Sequence, residues 1–192
     1  VYLIPGGPAS ALLGLEATPE QIHKLNTELG FERPFFTQYA DWFINVLHGE
    51  WGQSYFLRQS VLQAIAEYFP PTISLAVLAQ IFALVFSVPL GILAAYRRGS
   101  VLDVTAVSAS LAGAALPGFL LSMFLMLFFS VYHHWFPVAG YVGLEEGLLE
   151  HLRYLFVPAL SLGIVQAAYL TRMIRSSLLE TLYKNFIQTA RA

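Results

Sequence analysis

The stretch that decides the fold is Thr72–Tyr96, TISLAVLAQIFALVFSVPLGILAAY, which contains 25 consecutive uncharged residues. At a rise of about 1.5 Å per residue, a helix of this length spans about 37 Å, enough to cross a hydrocarbon core of about 30 Å with some tilt. Arg97 and Arg98 follow directly and end the apolar run. The stretch is therefore predicted to be a transmembrane helix.

Two further uncharged runs follow it. Residues 104–132 form a run of 29 residues, interrupted by Leu116-Pro117-Gly118-Phe119, and residues 154–171 form a run of 18. The chain is 57% hydrophobic and 11% charged, whereas a soluble domain carries about 25% charged residues. We therefore predict an all-α polytopic membrane protein, a bundle of transmembrane helices. Its predicted segments are an outer helical region (1–71), spans at 72–96, 104–132 and 154–171, connections at 97–103 and 133–153, and a tail at 172–192.

The connecting segments predict the orientation. The connection 97–103 and the tail 172–192 are rich in Arg and Lys, whereas the connection 133–153 and residues 1–71 carry more acidic residues. Basic residues favour the cytoplasmic side. The first and third spans are thus expected to run inward and the second outward.

Residues 1–71 are predicted to face water and contain sequence patterns typical of helix starts and ends. Thr18-Pro19-Glu20-Gln21 is typical of a capped helix start, and Gly30 is the expected end of that helix. Pro34 opens a second amphipathic stretch, which the glycines at 49 and 52 end. A third helix is expected at about 60–69, ending at Pro70-Pro71.

Both ends of the chain are expected to be truncations. Val1 is not preceded by a basic segment and an apolar core, and residues 188–192 read as an unfinished helix, with neither Gly nor Pro to end it.

The predicted spans contain no Asp, Glu, Lys, Arg or His. Intramembrane charges usually mark proton relays and ion pathways, so transport energy is expected to come from outside these spans. Glycine-rich nucleotide-binding loops, a nucleophile elbow, cysteine and a basic nucleic-acid footprint are also missing from the sequence, whose net charge is −2. An enzyme is therefore not expected, nor a cofactor or metal held by this chain.

Several polar or helix-breaking residues within the spans have two interpretations. Pro117 marks either a broken helix beside a translocation path or an ordinary kink packed through small residues. Gln80 and Gln166 either contact a substrate or bond to neighbouring helices. The candidates for the pathway are Gln80, Ser110, Pro117, Gly118, Phe119, Ser122 and Gln166.

Two other features also leave alternatives open. His133-His134 could bind a transition metal, but adjacent histidines on a helix diverge, so an interfacial belt with Tyr132, Trp135 and Phe136 is favoured. The basic amphipathic tail 172–192 either lies on anionic headgroups or docks a partner protein.

Along essentially its whole length the chain resembles the dipeptide/oligopeptide/nickel permease family of bacterial ABC importers. The resemblance rests on the order and spacing of short strings, among them IPGGPA (4–9), GEWGQS (49–54), PLGILAA (89–95), RGS with Asp103 (98–103), LPGF (116–119), FPVAG (136–140), VPAL (157–160), RMIRSSLLE (172–180) and NFIQTARA (185–192). Gly7 departs from the pattern, because the family commonly has Asp there.

The resemblance implies six transmembrane helices, one before Val1 and two after Ala192, in the cytoplasmic membrane of a bacterium. It implies that Thr189, Ala190, Arg191 and Ala192 begin the helix that couples to the ATPase. The implied partners are a second homologous permease subunit, two ATP-hydrolysing subunits that bind ATP and magnesium, an external binding protein and membrane lipid.

The implied activity is import of short peptides, with nickel or glutathione as alternatives. The rival from another class is a membrane scaffold that transports nothing.

Overall fold

The computed structural model describes residues 7–14, 17–28, 30, 33–54, 57–182 and 184. The chain forms two compact units, residues 1–68 and 69–192. In the first unit, α1 spans Gly7–Leu13, α2 spans Pro19–Glu28 and α3 spans Phe35–Leu47. A two-residue antiparallel hairpin follows, with β1 at Gln53–Ser54 paired to β2 at Gln59–Ser60.

The predicted start of α2 is confirmed. The Gln21 backbone N–H donates to Thr18 Oγ1 at 3.3 Å, and the Thr18 backbone N–H donates to Gln21 Oε1 at 2.9 Å. This reciprocal pair satisfies two of the N–H groups that a helix start leaves unbonded. At the other end, Gly30 has a φ of 71°, a left-handed conformation that suits glycine after a helix.

The predicted break at Pro70-Pro71 is wrong. Helix α4 runs without interruption from Val61 to Tyr96 and contains Pro70, Pro71 and Pro89. Proline removes one backbone N–H, but its fixed φ of about −65° is itself helical. The helix formed by the long apolar sequence that follows therefore includes the segment expected to be a separate helix.

The second unit contains the remaining helices. Helix α5 spans Val101–Ala115, α6 spans Gly118–Met126, a π-helical segment covers Leu127–Tyr132, a 3₁₀ turn covers Leu144–Glu146, and α7 spans Leu148–Leu182. Helix α5 thus begins inside the connection expected at 97–103. Helix α7 extends beyond both ends of the run 154–171 and carries the first part of the tail as one continuous helix.

Helix α7 lies between α4 on one face and α5 with α6 on the other. Its contacts to α4 come from Gly163, Gln166 and Thr171. Its contacts to α5 and α6 come from Ser161 and Arg175, which at about 3.6 residues per turn lie on the side of α7 away from Gly163 and Gln166. Small residues line the buried face of α4, which permits close approach: Ala83, Ser87, Gly91, Ala94 and Ala95.

Candidate functional site

The break between α5 and α6 lies at Leu116 and Pro117. Both residues are extended, with ψ of 129° and 128°, and the two helices meet at a bend of 98°. A proline disfavours helical geometry at the residue before it, which explains why α5 ends at Ala115. Gly118 itself is helical, as the first residue of α6.

Despite this bend, α5 and α6 follow α7 in one direction. Asp103 contacts Arg175, Ser122 contacts Ser161, and Phe129 contacts Phe156. The contacts on α7 thus extend from Arg175 to Phe156, about 28 Å at a rise of about 1.5 Å per residue. That length is close to a hydrocarbon core of about 30 Å, so the bent pair is long enough to cross a membrane when counted as one span.

A chain of hydroxyl groups ties α6 to α7. The Ser122 hydroxyl donates to Ser161 Oγ at 2.8 Å, and the Ser161 hydroxyl donates to the Pro158 carbonyl at 2.8 Å. Ser161 is fully buried, and burying a hydroxyl is costly without such partners. The carbonyl of Gly118, 3.1 Å from Ser122 Oγ, is a second acceptor beside the break.

On the other face of α7, two amides meet. Gln166 Nε2 donates to Gln80 Oε1 at 2.9 Å, which joins α7 to α4, and both residues remain exposed. Close approach depends on Gly163, because a Cβ there would lie 2.6 Å from Phe82 Cβ and 2.9 Å from the Ala79 carbonyl. Of the two interpretations of these glutamines, the bond between helices is the one that the structure contains.

The other predicted pathway residues lie in different environments. Ser110 is buried, and its hydroxyl donates to the Ala106 carbonyl of its own helix at 2.7 Å. Pro117 and Gly118 are exposed at the break, and Phe119 is 70% exposed. The structure therefore gathers Pro117, Gly118, Phe119 and Ser122 at one place and puts the glutamines on another face of α7. The predicted coupling residues Thr189, Ala190, Arg191 and Ala192 lie outside the described residues.

Asp103 and Arg175 form an ion pair that sequence reasoning missed. Arg175 donates through Nε to Asp103 Oδ1 and through Nη2 to Asp103 Oδ2, the second bond being 2.8 Å. The Asp103 side chain is 6% exposed and that of Arg175 25%. This two-point geometry fixes the start of α5 against the part of α7 that leads into the tail.

A local signal could have drawn attention to Asp103. Ser100 caps α5 by accepting from the Asp103 backbone N–H at 3.4 Å, and Asp103 Oδ2 accepts from the Gly99 N–H at 2.9 Å. A Ser followed three residues later by a carboxylate is typical of a capped helix start. No local pattern links Asp103 to Arg175, because 72 residues separate them.

At the N-terminal end of α7, aromatic rings pack against one another. Phe136 stacks on Phe156 with centroids 4.4 Å apart, so it packs against α7 rather than joining only an interfacial belt. His133 stacks on Trp135 with ring centroids 4.6 Å apart. His151 is buried, and its Nδ1 lies 2.7 Å from the Val142 carbonyl of the preceding connection.

The described helices define the class of protein. Within the described residues, Val61–Tyr96 and Leu148–Leu182 are long and apolar enough to cross a membrane, and the bent pair is a third span when counted as one. The structure is therefore that of an all-α polytopic membrane protein. Across the same residues, no three His, Cys, Asp or Glu side chains are grouped to hold a metal ion.

The chain belongs to the family of binding-protein-dependent transport system inner membrane components. Residues 87–192 match that family, and residues 1–76 match the N-terminal region described for such membrane components. It is therefore a multi-pass component of the bacterial inner membrane, in a family of transport components rather than enzymes.

Three curated relatives illustrate the similarity. A putative peptide transport system permease protein of Brucella suis biovar 1 is 41% identical over 99% of this chain and 60% of that protein. A di/tripeptide transport system permease protein of Pseudomonas aeruginosa is 33% identical over 100% of this chain and 63% of its own length. A dipeptide transport system permease protein of Escherichia coli K12 is 34% identical over 100% and 64%. The chain thus spans about three fifths of the length of these relatives.

Proposed function

We propose that this chain is part of the permease subunit of an ATP-binding-cassette importer and forms part of its pathway for short peptides. The observation that carries the proposal is the bent helix pair, α5 with α6, packed along α7 in a chain that belongs to a transport-component family. A helix interrupted inside a membrane exposes backbone groups that must be satisfied by neighbouring helices or by water in a cavity. The exposed residues Pro117, Gly118 and Phe119 at the break are the proposed lining of that cavity.

Peptide is the proposed substrate because the relatives described above carry peptide, di/tripeptide or dipeptide transport in their names. Neutral spans fit this role. The runs 72–96, 104–132 and 154–171 contain no Asp, Glu, Lys, Arg or His, so the energy is proposed to enter through other subunits. Those partners are two subunits that bind and hydrolyse ATP with magnesium, a second homologous permease and an external binding protein.

The mechanism follows from this arrangement. The binding protein delivers the peptide to the outer segments, residues 1–71 and 133–153. Closure of the ATP-bound subunits moves the tail, in which Thr189 to Ala192 begin the coupling helix. The Asp103–Arg175 pair joins α5 to α7, the helix that leads into the tail. A displacement of α7 is therefore passed to α5, the first half of the broken span.

The test is an uptake assay in cells that lack the full-length gene and in cells that carry it on a plasmid. Radiolabelled dipeptide, glutathione and nickel-63 are supplied separately. Dipeptide uptake is expected to fall on deletion and to return with the plasmid, while the other two are unchanged. Loss of nickel or glutathione uptake alone would identify that compound, and not a peptide, as the substrate. Unchanged uptake of all three would favour a scaffold.

A further inference from the structure

A groove between α5 and α7 lies beside the Asp103–Arg175 pair. It encloses about 540 Å³ and is lined by Val107, Tyr169, Arg172, Met173, Arg175 and Ser176. The residues from α7 recur at spacings of three and four, so they share one face of that helix. The groove therefore combines basic and hydroxyl groups with the apolar side chains of Val107 and Met173.

The groove has an unbalanced positive charge. Arg175 is paired with Asp103, whereas the Nε of Arg172 is buried and has no hydrogen-bond acceptor among the described residues. An arginine offers a planar set of donors that matches phosphate oxygens at two points. The Arg172 guanidinium lines the groove and is not paired with an acidic side chain among the described residues, so the groove favours an anionic group.

The place of Arg172 along the chain indicates the source of that anion. Arg172 directly follows the uncharged run 154–171, which places it at the level of the lipid headgroups. Its neighbours in the tail are basic, which predicts the cytoplasmic leaflet, where anionic lipids attract basic segments. Met173 and Tyr169, 55% and 62% exposed, offer apolar surface next to the charge.

We propose that this groove binds the phosphate of an anionic phospholipid, with Arg172 as the principal ligand and the Tyr169 hydroxyl as a further donor. A lipid is favoured over a free anion because the acyl chains can lie on Val107 and Met173, whereas a soluble anion leaves that apolar surface uncovered. The bound lipid would lie against the Asp103–Arg175 pair, at the junction between the broken span and α7.

The test uses the full-length permease, purified with its partner subunits. Native mass spectrometry counts the phosphatidylglycerol molecules retained by the wild-type complex, and a titration in detergent compares phosphatidylglycerol, phosphatidylcholine and inorganic phosphate. Arg172→Gln removes the principal ligand. Arg97→Gln is the matched control, because Arg97 is an exposed basic residue on the connection before α5 and does not line the groove.

We expect the wild type to retain phosphatidylglycerol in preference to phosphatidylcholine. Its affinity should fall about tenfold in Arg172→Gln, as for the loss of a charged hydrogen bond, and stay unchanged in Arg97→Gln. Val107→Phe, which fills the apolar side of the groove, should also weaken retention even if Arg172→Gln does not assemble. Equal retention of both lipids by the wild type, or equal losses in Arg172→Gln and Arg97→Gln, would overturn the proposal. Binding of inorganic phosphate as tightly as phosphatidylglycerol would overturn the lipid as the source.

Discussion

Asp103, in the first turn of α5, and Arg175, near the end of α7, are joined by two hydrogen bonds across 72 residues of sequence. The carboxylate also accepts from the Gly99 N–H, so one side chain ties the turn before α5 to α7. The pair stands where the transmembrane part of α7 gives way to the tail. The pair therefore ties the start of α5 to the part of α7 that leads into the tail.

Asp103→Asn is expected to destabilise the protein by about 2–4 kcal/mol, because it leaves Arg175 half-paired in a largely buried site. The melting temperature of the purified full-length protein measures this. Asp41→Asn is the matched control, since the Arg33–Asp41 pair at 3.5 Å is exposed and such pairs contribute about 1 kcal/mol or less. Asp103→Asn combined with Arg175→Gln should lose less than the sum of the single losses. Additive losses would contradict the pairing.

Pro117→Ala is expected to reduce peptide uptake strongly while leaving stability unchanged or raised. Alanine restores a backbone N–H and frees Leu116 to adopt helical geometry, so the 98° bend can straighten. Uptake in the deletion strain is the measurement. Pro89→Ala is the control, because Pro89 already lies inside the continuous helix α4. Normal uptake by Pro117→Ala would mean that the break is not needed for transport.

Ser122→Cys with Ser161→Cys is expected to form a disulfide between α6 and α7. The two hydroxyl oxygens lie 2.8 Å apart, and this chain has no cysteine of its own. Oxidation should lock the broken span on α7 and block uptake, and reduction should restore it. The pair Ser110→Cys with Ser161→Cys should not link, because among the described residues the hydroxyl of Ser161 bonds to Ser122 and Pro158 and not to Ser110. Full uptake by the oxidised, linked protein would show that α6 and α7 do not separate during transport.

Gly163→Ala is expected to cost about 1–3 kcal/mol, because the added Cβ would overlap Phe82 and the Ala79 carbonyl and force α4 away from α7. Thermal melting of the purified protein gives the loss. Gly118→Ala is the comparison, since its Cβ would meet Val165 at an ordinary 3.8 Å. Equal melting temperatures for the two variants would show that α4 and α7 are not in close contact at Gly163.

Ala190→Glu is expected to uncouple ATP hydrolysis from uptake in the full-length protein. A bulky charge would prevent the coupling helix, proposed to begin at Thr189, from fitting the ATPase. The measurement is the ratio of ATPase activity to peptide uptake in reconstituted vesicles, with assembly checked by co-purification. An intact complex with unchanged coupling would count against the docking role of this segment.

The sequence by itself determined the class of protein. Uncharged runs of 25, 29 and 18 residues require burial in lipid or in a large core, and their basic flanks predict which ends face the cytoplasm. The sequence also predicted local structural features, namely the capping box of Thr18 and Gln21 and the interruption at Pro117. These features depend on neighbours within a few residues, which the sequence displays directly.

The tertiary structure alone decided which helices touch and what their polar groups do. Composition does not show that Gln80 bonds Gln166, that Ser122 bonds Ser161 or that Asp103 pairs with Arg175, because each contact depends on how two distant helices pack. The same is true of Pro70 and Pro71, which read locally as a helix end but lie inside α4. Proline weakens a helix by removing one hydrogen bond, and whether the helix continues depends on the packing and apolar length around it.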